Sequence, residues 1–465
     1  MKSIRLEDVA AVFADEVFEH LSENKDFSAM ESSMRQLANQ LLCKGIEAGF
    51  ARFDDALFQI RPKTLRSKGL VSRSVLTLSG NIHLKRRRYI DISTDRTLNL
   101  ADEVLGIDPH DKVSAQTAWL LANCSIDMTY RKATEVLEFV SGHAVSKTTV
   151  KSAAKKTADT LKNAASIHEF SGTRKVESLC CESDGVNIAL QQRHLPKKKR
   201  KKRNKEVRLA AVYEGKHVNP DKTKSRINKH IVATTATTKA LWEDVERHID
   251  RVYDTTHVTR SYLGSDGASW CFKGAGVLPG RVIVGYDLWH VYDIIKRDAK
   301  KALSPEVIAI LKDKGVDEAV SCVKGYATFY DTQGVDHSLW ELCRFFKKYK
   351  KMIENARTYN LGTMESTVAH VVGARLKNFG GAWSVCGADA MVTLRAAYAS
   401  GTTIPLVDSK GHRDDSSSDE QSDRDDGTSK KYRSMYANTV DYYHQAKIAW
   451  ENESCRIKHN MAQVY

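Results

Sequence analysis

The sequence predicts an α/β protein, with a mixed strand-and-helix domain in the middle of the chain and mainly helical regions on either side. Three observations carry this. Between 176 and 290, short apolar runs rich in Val, Ile and Leu alternate with helix-like segments. Before 170, apolar residues recur at helical spacing, interrupted by one stretch of strict alternation near 70–92. After 295 the periodicity is helical again, up to a polar tract beginning near 408.

A chain of 465 residues can hold two to four domains with ample core. Its net charge of +14 and pI near 9.2 point to a polyanionic partner. Two tracts skew the count. From Arg193 to Arg208 there are ten Lys/Arg against one Glu, and from Asp408 to Asp426 eight acids against three bases. With both set aside the remainder is still basic, so the polyanion argument survives. Nine cysteines are scattered without a CxxC pair, which argues against a disulfide framework or a zinc site. No stretch approaches transmembrane length, and the start MKSIRLEDVAAVF lacks the apolar core of a signal peptide. The expectation is a cytoplasmic, nucleoid-associated protein with no membrane partner.

Residues 1–69 read as helices. Phe13, Val17 and Leu21 fall at i, i+4 and i+8, and Leu37, Leu41 and Leu42 continue the stripe, as a core or oligomer-contact face. Residues 70–112 hold the change of period. SVLTLSGNIHLKRRRYIDI alternates around Ser-Gly, a hairpin signal, and its second arm carries Lys85, Arg86, Arg87 and Arg88. Such a ribbon could lie along DNA phosphates, or be an edge strand protected by charge. In 113–170 a helix, a Gly-containing turn and a second helix follow, with Ser146 as N-cap. The second helix opens with Lys147, Thr148, Thr149 and Lys151, residue types that reach base edges and phosphates, as in a helix-turn-helix.

Residues 171–294 are read as the first part of the α/β domain. VESLCCESDGVNIALQQ gives one strand, a break at Asp184-Gly185 and a second strand, and VRLAAVYEG gives a third. TTKALWEDVERHID is a helix capped by Thr237 or Thr238. VTRSYLGSDGA is a strand ending at Asp266, and GRVIVGYD is another, followed by a helix from about Leu288. Three strands, helix, strand, strand, helix is the order of a ribonuclease-H-like core, although strand signals alone support only a mixed α/β domain. Residues 295–360 read as a helical insertion, 361–407 as the last helices of the core, 408–431 as an acidic disordered linker and 432–465 as a final helix.

Four acids stand where apolar runs end or helices begin: Asp184, Asp266, Asp287, with His290 three residues on, and Glu365. An acid beside apolar sequence is costly to desolvate unless it is paired or binds a cation. Carboxylates gathered at strand ends make a hard-oxygen site for Mg²⁺ or Mn²⁺, and two such ions suit phosphodiester chemistry. Each acid also has a plainer reading. Asp-Gly is a common turn, Asp287 an ordinary N-cap with His290 packed beside it, and Glu365 a first-turn charge favoured by the helix dipole. The basic run Lys197, Lys198, Lys199, Arg200, Lys201, Lys202 and Arg203 could cover DNA near the acids, act as an import-like signal, or be a solvated loop.

The order D…SDG…DxxH…E, with helical residues before the Glu, resembles the Mutator-like branch of DDE transposases. It is closest to the bacterial insertion-sequence transposases of the ISLre-two group. The matching text is ESDGVNIALQ, EVRLAAVYEGK, GSDGASW, YDLWHVYDI, GTMESTVAHVVGARLKNFGGAWS and GADAMVTLRA, with LSGNIHLKRRRY and ADEVLGI upstream, spanning roughly 70–400. The middle pair of the DxxH element is Leu288-Trp289 where Arg-Phe is more usual, and the acidic tract is atypical. The resemblance implies a ribonuclease-H-like catalytic core with a helical insertion, preceded by a mainly helical DNA-binding region with a basic β-hairpin. It implies Asp184, Asp266 and Glu365 as ligands of two Mg²⁺ (or Mn²⁺) ions, with Asp287 and His290 as an accessory catalytic element. The expected function is a transposase that binds the terminal inverted repeats of an insertion sequence and cleaves and transfers strands. Its partners are double-stranded end and target DNA and further copies of itself, as a homodimer or larger synaptic complex. The alternatives are a non-catalytic transposase-derived DNA-binding protein and a metal-dependent nuclease without strand transfer.

Overall fold

The structure is a computed structural model of the chain. It describes all residues except 1–5, 25, 109–110, 167–171, 192–203, 221–223, 332–336, 363, 378–380 and 406–465. The basic run 197–203, the acidic tract and the C-terminal helix of the sequence reading lie outside the described residues. The chain divides into two compact units. The described part of one comprises residues up to Leu121 and Tyr130–Val150; the other comprises Ala122–Thr129 and Lys151–Pro405.

In the first unit α1 (Leu6–Asn24) is followed by the long α2 (Phe27–Ile60), which Asp26 caps by accepting from the Ser28 and Ala29 amides. A three-stranded antiparallel sheet follows, β1 (Leu65–Thr77), β2 (Gly80–Asp91) and β3 (Arg96–Leu98), with the predicted hairpin turn between Thr77 and Gly80. The third strand was not foreseen; three residues are too few to show a period. The short α3 (Leu100–Leu105) closes this sheet, and Phe50, Leu57, Ile82, Leu84, Tyr89, Leu98 and Leu100 form one core. Next come α4 (Ala115–Asp127), α5 (Tyr130–Ser141) and α6 (Lys147–Ser166). α4 and α6 each have residues in both units. Ser146 accepts from the Thr149 amide at 3.2 Å, so the predicted cap is present.

Alternation on β2 explains what becomes of its bases. Ile82, Leu84 and Arg86 share the inward face, and Arg86 is buried with its Nε 2.8 Å from Asp102 Oδ2. Arg73 on β1 approaches the same oxygen at 3.3 Å. Arg87 pairs with Asp54 and Asp55, each at 2.7 Å. Only Lys85 and Arg88 of the four face solvent. This corrects the reading of a four-residue phosphate-binding ribbon. An arginine at an inward position needs an internal acid, and Asp102 and Asp54 meet that need.

The second unit is built on a five-stranded mixed sheet. Its strands are β4 (Ser178–Ala189), β5 (Asn204–Tyr213), β8 (His230–Thr234), β9 (Arg260–Ser265) and β10 (Arg281–Tyr286), in spatial order β10-β9-β4-β5-β8. β4, β5 and β8 are antiparallel neighbours, while β9 and β10 lie parallel to β4 on its other side. A small hairpin, β6 (Gly215–Val218) with β7 (Lys224–Ile227), leaves the sheet after β5. α7 (Thr238–Val252), capped by Thr237, covers one face. Leu179 and Cys181 of β4, Ala210 and Val212 of β5 and Leu263 of β9 pack there against Leu241, Trp242, Val245 and Ile249.

After β10, α8 (Leu288–Asp298) leads into α9 (Lys300–Asp313), α10 (Val316–Asp331) and α11 (Ser338–Tyr359), which pack around Phe346 and Ile353 as one helical cluster. The chain then returns to the sheet through α12 (Met364–Val368), a π-helical stretch Ala369–Lys377, and α13 (Val385–Ala399). α12 packs on β4 and α13 on β8.

Two strand assignments change. No break falls at Asp184-Gly185, because β4 runs through both residues with Asp184 opposite Leu209 and Gly185 opposite Arg208. Gly185 serves close approach there: a Cβ would sit 2.8 Å from Glu206 Oε1. The third strand of the antiparallel set is therefore β8, a five-residue run that the sequence reading passed over.

β8 and α7 also carry a stacked pair of histidines. The His230 and His248 rings lie 3.6 Å apart, tilted by 7°. Burial, then Arg251, pushes His230 down to about 4; burial, then His230 and Arg251, pushes His248 down to about 3. Both values lie below the ordinary 6.5. The folded state therefore binds these protons less readily than the unfolded chain, and stability held at neutral pH is lost as pH falls from about 6.5 towards 4. Thermal unfolding followed between pH 7 and pH 4 checks this. The expected melting temperature falls across that window, and H248F flattens the fall; an unchanged profile in H248F contradicts it.

Candidate functional site

Strand register assembles the site. Ser183 of β4 pairs with Ser265 of β9, and Ser265 pairs with Tyr286 of β10. Asp184, Asp266 and Asp287 each stand one residue beyond that row, so three parallel neighbours deliver three aspartates at one level. The Asp287 amide donates to Ser265 O at 2.8 Å, which extends the ladder by that residue.

The three have different surroundings. Asp184 is buried, and its Oδ1 accepts from the Gly185 amide at 2.6 Å. Asp266 is half-buried; its Oδ1 accepts from the Ala268 amide at 2.8 Å and from Cys271 Sγ at 3.4 Å, with Gly267 turning the chain at φ +92°. Asp287 is buried and caps α8, accepting from the Trp289 amide at 2.8 Å. Its N-cap reading therefore holds, but the cap faces the other acids. His290 Nε2 lies 3.6 Å from Asp184 Oδ2, an ion-pair distance rather than a hydrogen bond.

Charge crowding shows in two groups. Burial, then the Glu182 charge, raises Asp287 to about 6, against the pull of the Trp289 amide and His290. Burial pushes His290 down, but Asp184, Asp287 and Asp266 push it up further, so its proton is held more firmly than usual. Asp287 therefore favours a protonated folded state. The stability it lends is fully present below its ordinary 3.8 and is lost as pH rises through about 6. A carbon-detected carboxyl titration in metal-free buffer should find Asp287 titrating near 6, and an ordinary value would contradict the crowding.

Glu365 lies in the first turn of α12, half-buried, on a helix that packs against β4. Among the described residues, no group of three or more His, Cys, Asp or Glu side chains is set to hold one metal ion. Asp184, Asp266 and Asp287 stand at one level of the sheet with His290 beside Asp184, and Glu365 lies on α12, which packs against β4, the strand that carries Asp184. Carboxylate oxygens are the chemistry a hard divalent cation takes, and here they stand at one level of three parallel neighbours, Asp184 within β4 and Asp266 and Asp287 just past β9 and β10. Of the other predicted residues, Lys147, Thr148 and Lys151 are exposed and Thr149 is half-buried in the first turns of α6.

Three residues escaped the sequence reading. Glu182 lies two positions before Asp184, hence on the same face of β4. It is fully buried; Oε1 accepts from the Tyr213 hydroxyl and Oε2 from the Gly362 amide at 2.7 Å. Gly362 holds φ at +116°, and a Cβ there would lie 2.9 Å from Asp287 Oδ1 and 2.8 Å from the Leu288 nitrogen. Arg395 of α13, also buried, donates to the carbonyl oxygens of His370 and Val371 in the π-helical stretch. It also donates to Ile126 O at 3.2 Å and pairs with Asp127. The alternation of β4 could have flagged Glu182. Nothing local marks the other two.

The architecture is that of a mixed α/β unit with three aspartates at one level of three parallel strands. The chain belongs to the uncharacterised protein family UPF0236, whose family model matches residues 21–321. That span includes Asp184, Asp266, Asp287 and His290 and ends before Glu365. A relative from Streptococcus gallolyticus, described as "UPF0236 protein in vanSb 3′ region", is 25% identical over 406 residues, covering 83% of this chain and 86% of the relative. Among the described residues, no helix is long and apolar enough to cross a membrane.

Proposed function

We propose that this protein is a DNA transposase acting through a DDE site on a ribonuclease-H-like core. The observation that carries the reading is the row of Asp184, Asp266 and Asp287 one residue past paired positions on three parallel strands. Support comes also from the element order, three antiparallel strands with a β6–β7 hairpin among them, a helix, two further strands parallel to the first, and a helix. The resemblance of the Glu365 block and the basic charge of the chain support it further.

In this reading Asp184, Asp266 and Glu365 would hold two Mg²⁺ or Mn²⁺ ions, whose chemistry would be to activate the attacking oxygen and neutralise charge on the leaving one. The protein's own residues do the rest. β4 and the end of β9 place the first two carboxylates on one sheet, and α12, packed on β4, would bring the third as the ions bind. His290, whose buried Nε2 lies 3.6 Å from Asp184 Oδ2 and whose proton is kept by the surrounding aspartates, would hold the Asp184 carboxylate in place. Hydrolysis breaks the P–O3′ bond at the element's end and frees a 3′-hydroxyl. That oxygen then forms a new bond to a target phosphorus as the target's own bridging oxygen leaves. Lys147, Thr148 and Lys151 at the start of α6, with Lys85 and Arg88 on β2, are the exposed candidates for end binding. Two ends must meet, which calls for a dimer or larger assembly.

A supercoiled plasmid bearing the element's inverted repeats tests this. With Mg²⁺ the transposase reading expects joined strand-transfer products. Nicking without joining would indicate a nuclease, and an intact plasmid bound by protein would indicate a DNA-binding protein without catalysis.

A further inference from the structure

We infer that Glu182 is a positioning residue that ties the segment carrying Glu365 to the strand carrying Asp184. The inference rests on the proposed role of Glu365, but the tether itself is geometric.

A wholly buried glutamate needs partners for its oxygens. One partner is local to the sheet, the Tyr213 hydroxyl on β5. The other is the Gly362 amide, 180 residues away in sequence, at 2.7 Å. Lys216 of β6 adds a cation 3.7 Å from Oε1. Gly362 is three residues before Glu365, with α12 starting at Met364. The same glycine is pressed onto the start of α8, leaving no room for a Cβ between its backbone and Asp287. Its backbone is therefore held from two directions, by Glu182 through a hydrogen bond and by the Asp287 cap through close contact. Downstream, Arg226 donates to Thr367 Oγ1 at 2.8 Å, and Arg395 holds the carbonyls that follow. α12 runs straight into the π-helical stretch, so the direction of the helical run 364–377 depends on what anchors its two ends. Where Glu365 points is thus decided by the anchor ahead of it and those behind it, and Glu182 makes the anchor nearest the acids.

The test is amide exchange of the 361–368 segment in the full-length protein without DNA, alongside plasmid cleavage. In E182A the Gly362 amide should exchange about tenfold faster while β4 and β9 keep their protection. Turnover should drop about a hundredfold, with the end-DNA concentration for half-saturation unchanged. E182Q keeps an oxygen able to accept from Gly362 and should restore both to near wild type. Y213F removes only the sheet-side partner and should leave exchange at Gly362 unchanged. Normal exchange at Gly362 in a folded E182A, or a loss in Y213F equal to that in E182A, overturns the inference. Should E182A fail to fold, G362A breaks the same tether from its other end and must speed exchange across 362–365; unchanged exchange there overturns it too. A wild-type protein that cuts no DNA would defeat the transposase reading but leave the exchange result to decide the tether.

Discussion

Asp184→Asn is expected to abolish metal-dependent cleavage of end-bearing DNA while leaving end binding within a few-fold of wild type. Asparagine keeps the shape and one acceptor oxygen, so β4, whose ladder runs through position 184 by backbone bonds, should be undisturbed. What disappears is the charge that would hold the proposed cations. Metal-centred charge stabilisation is worth several kcal/mol. At ~1.4 kcal/mol per tenfold, its loss corresponds to a rate reduction of roughly a thousandfold or more. Asp266→Asn and Glu365→Gln should behave alike, and combining any two should add little, because residues that act as one unit are not additive. Binding is the control: the exposed bases on α6 and β2 are remote in sequence from these acids, so a gel shift should be retained. A variant that cut normally would remove its residue from the site.

The second large effect is on stability. Asp102→Ala should destabilise the first unit by about 3–5 kcal/mol, the cost of breaking a buried ion pair from one side. Asp102 Oδ2 takes both Arg86 at 2.8 Å and Arg73 at 3.3 Å, and all three side chains are nearly inaccessible. Burial raises the Asp102 carboxyl more than the two arginines lower it, a sign of how dry the pocket is. With Asp102 gone, Arg86 would be a buried charge without its acid, whereas Arg73 keeps the carbonyls of Asp108 and Asp111. Replacing Arg86 with Met and Asp102 with Leu together should recover most of the loss, since an apolar pair of similar volume removes the stranded charge. Denaturant unfolding measures both variants. A loss below about 0.5 kcal/mol in Asp102→Ala, the range of an ordinary surface change, would contradict the assigned pair.

What could be read from the sequence was what is decided locally. Thr237, Ser146 and Asp287 are helix caps because a side-chain oxygen and an amide two or three residues on suffice for one. β9 and β10 were visible because buried parallel strands are continuous apolar runs. Arg86 could have been turned inward by counting alternate residues from Ile82 and Leu84; four bases in a row drew attention to charge instead of parity. At Asp184-Gly185, local turn preference lost to a non-local cause, the close approach of Glu206 to Gly185 across the β4–β5 ladder. β6, β7 and β8 are four or five residues each, too short for a period to show. Glu182 and Gly362 meet across 180 residues, and Arg395 reaches carbonyls from other segments, so only the assembled fold reveals them. Glu365 was legible as an acid at a helix start, the resemblance added its role as a metal ligand, and its α12 does pack on β4. Among the described residues neither Glu365 nor the aspartates form a group of three or more set to hold a metal ion, so their convergence on bound cations is the decisive observable.

Anomalous scattering from crystals of the protein grown with Mn²⁺ and end DNA tests this most directly. Mn²⁺ peaks are expected in contact with the carboxylates of Asp184 and Asp266, with Glu365 completing the coordination. Mn²⁺ bound only elsewhere, or a Glu365 carboxylate still apart from an occupied Asp184–Asp266 site, would contradict it.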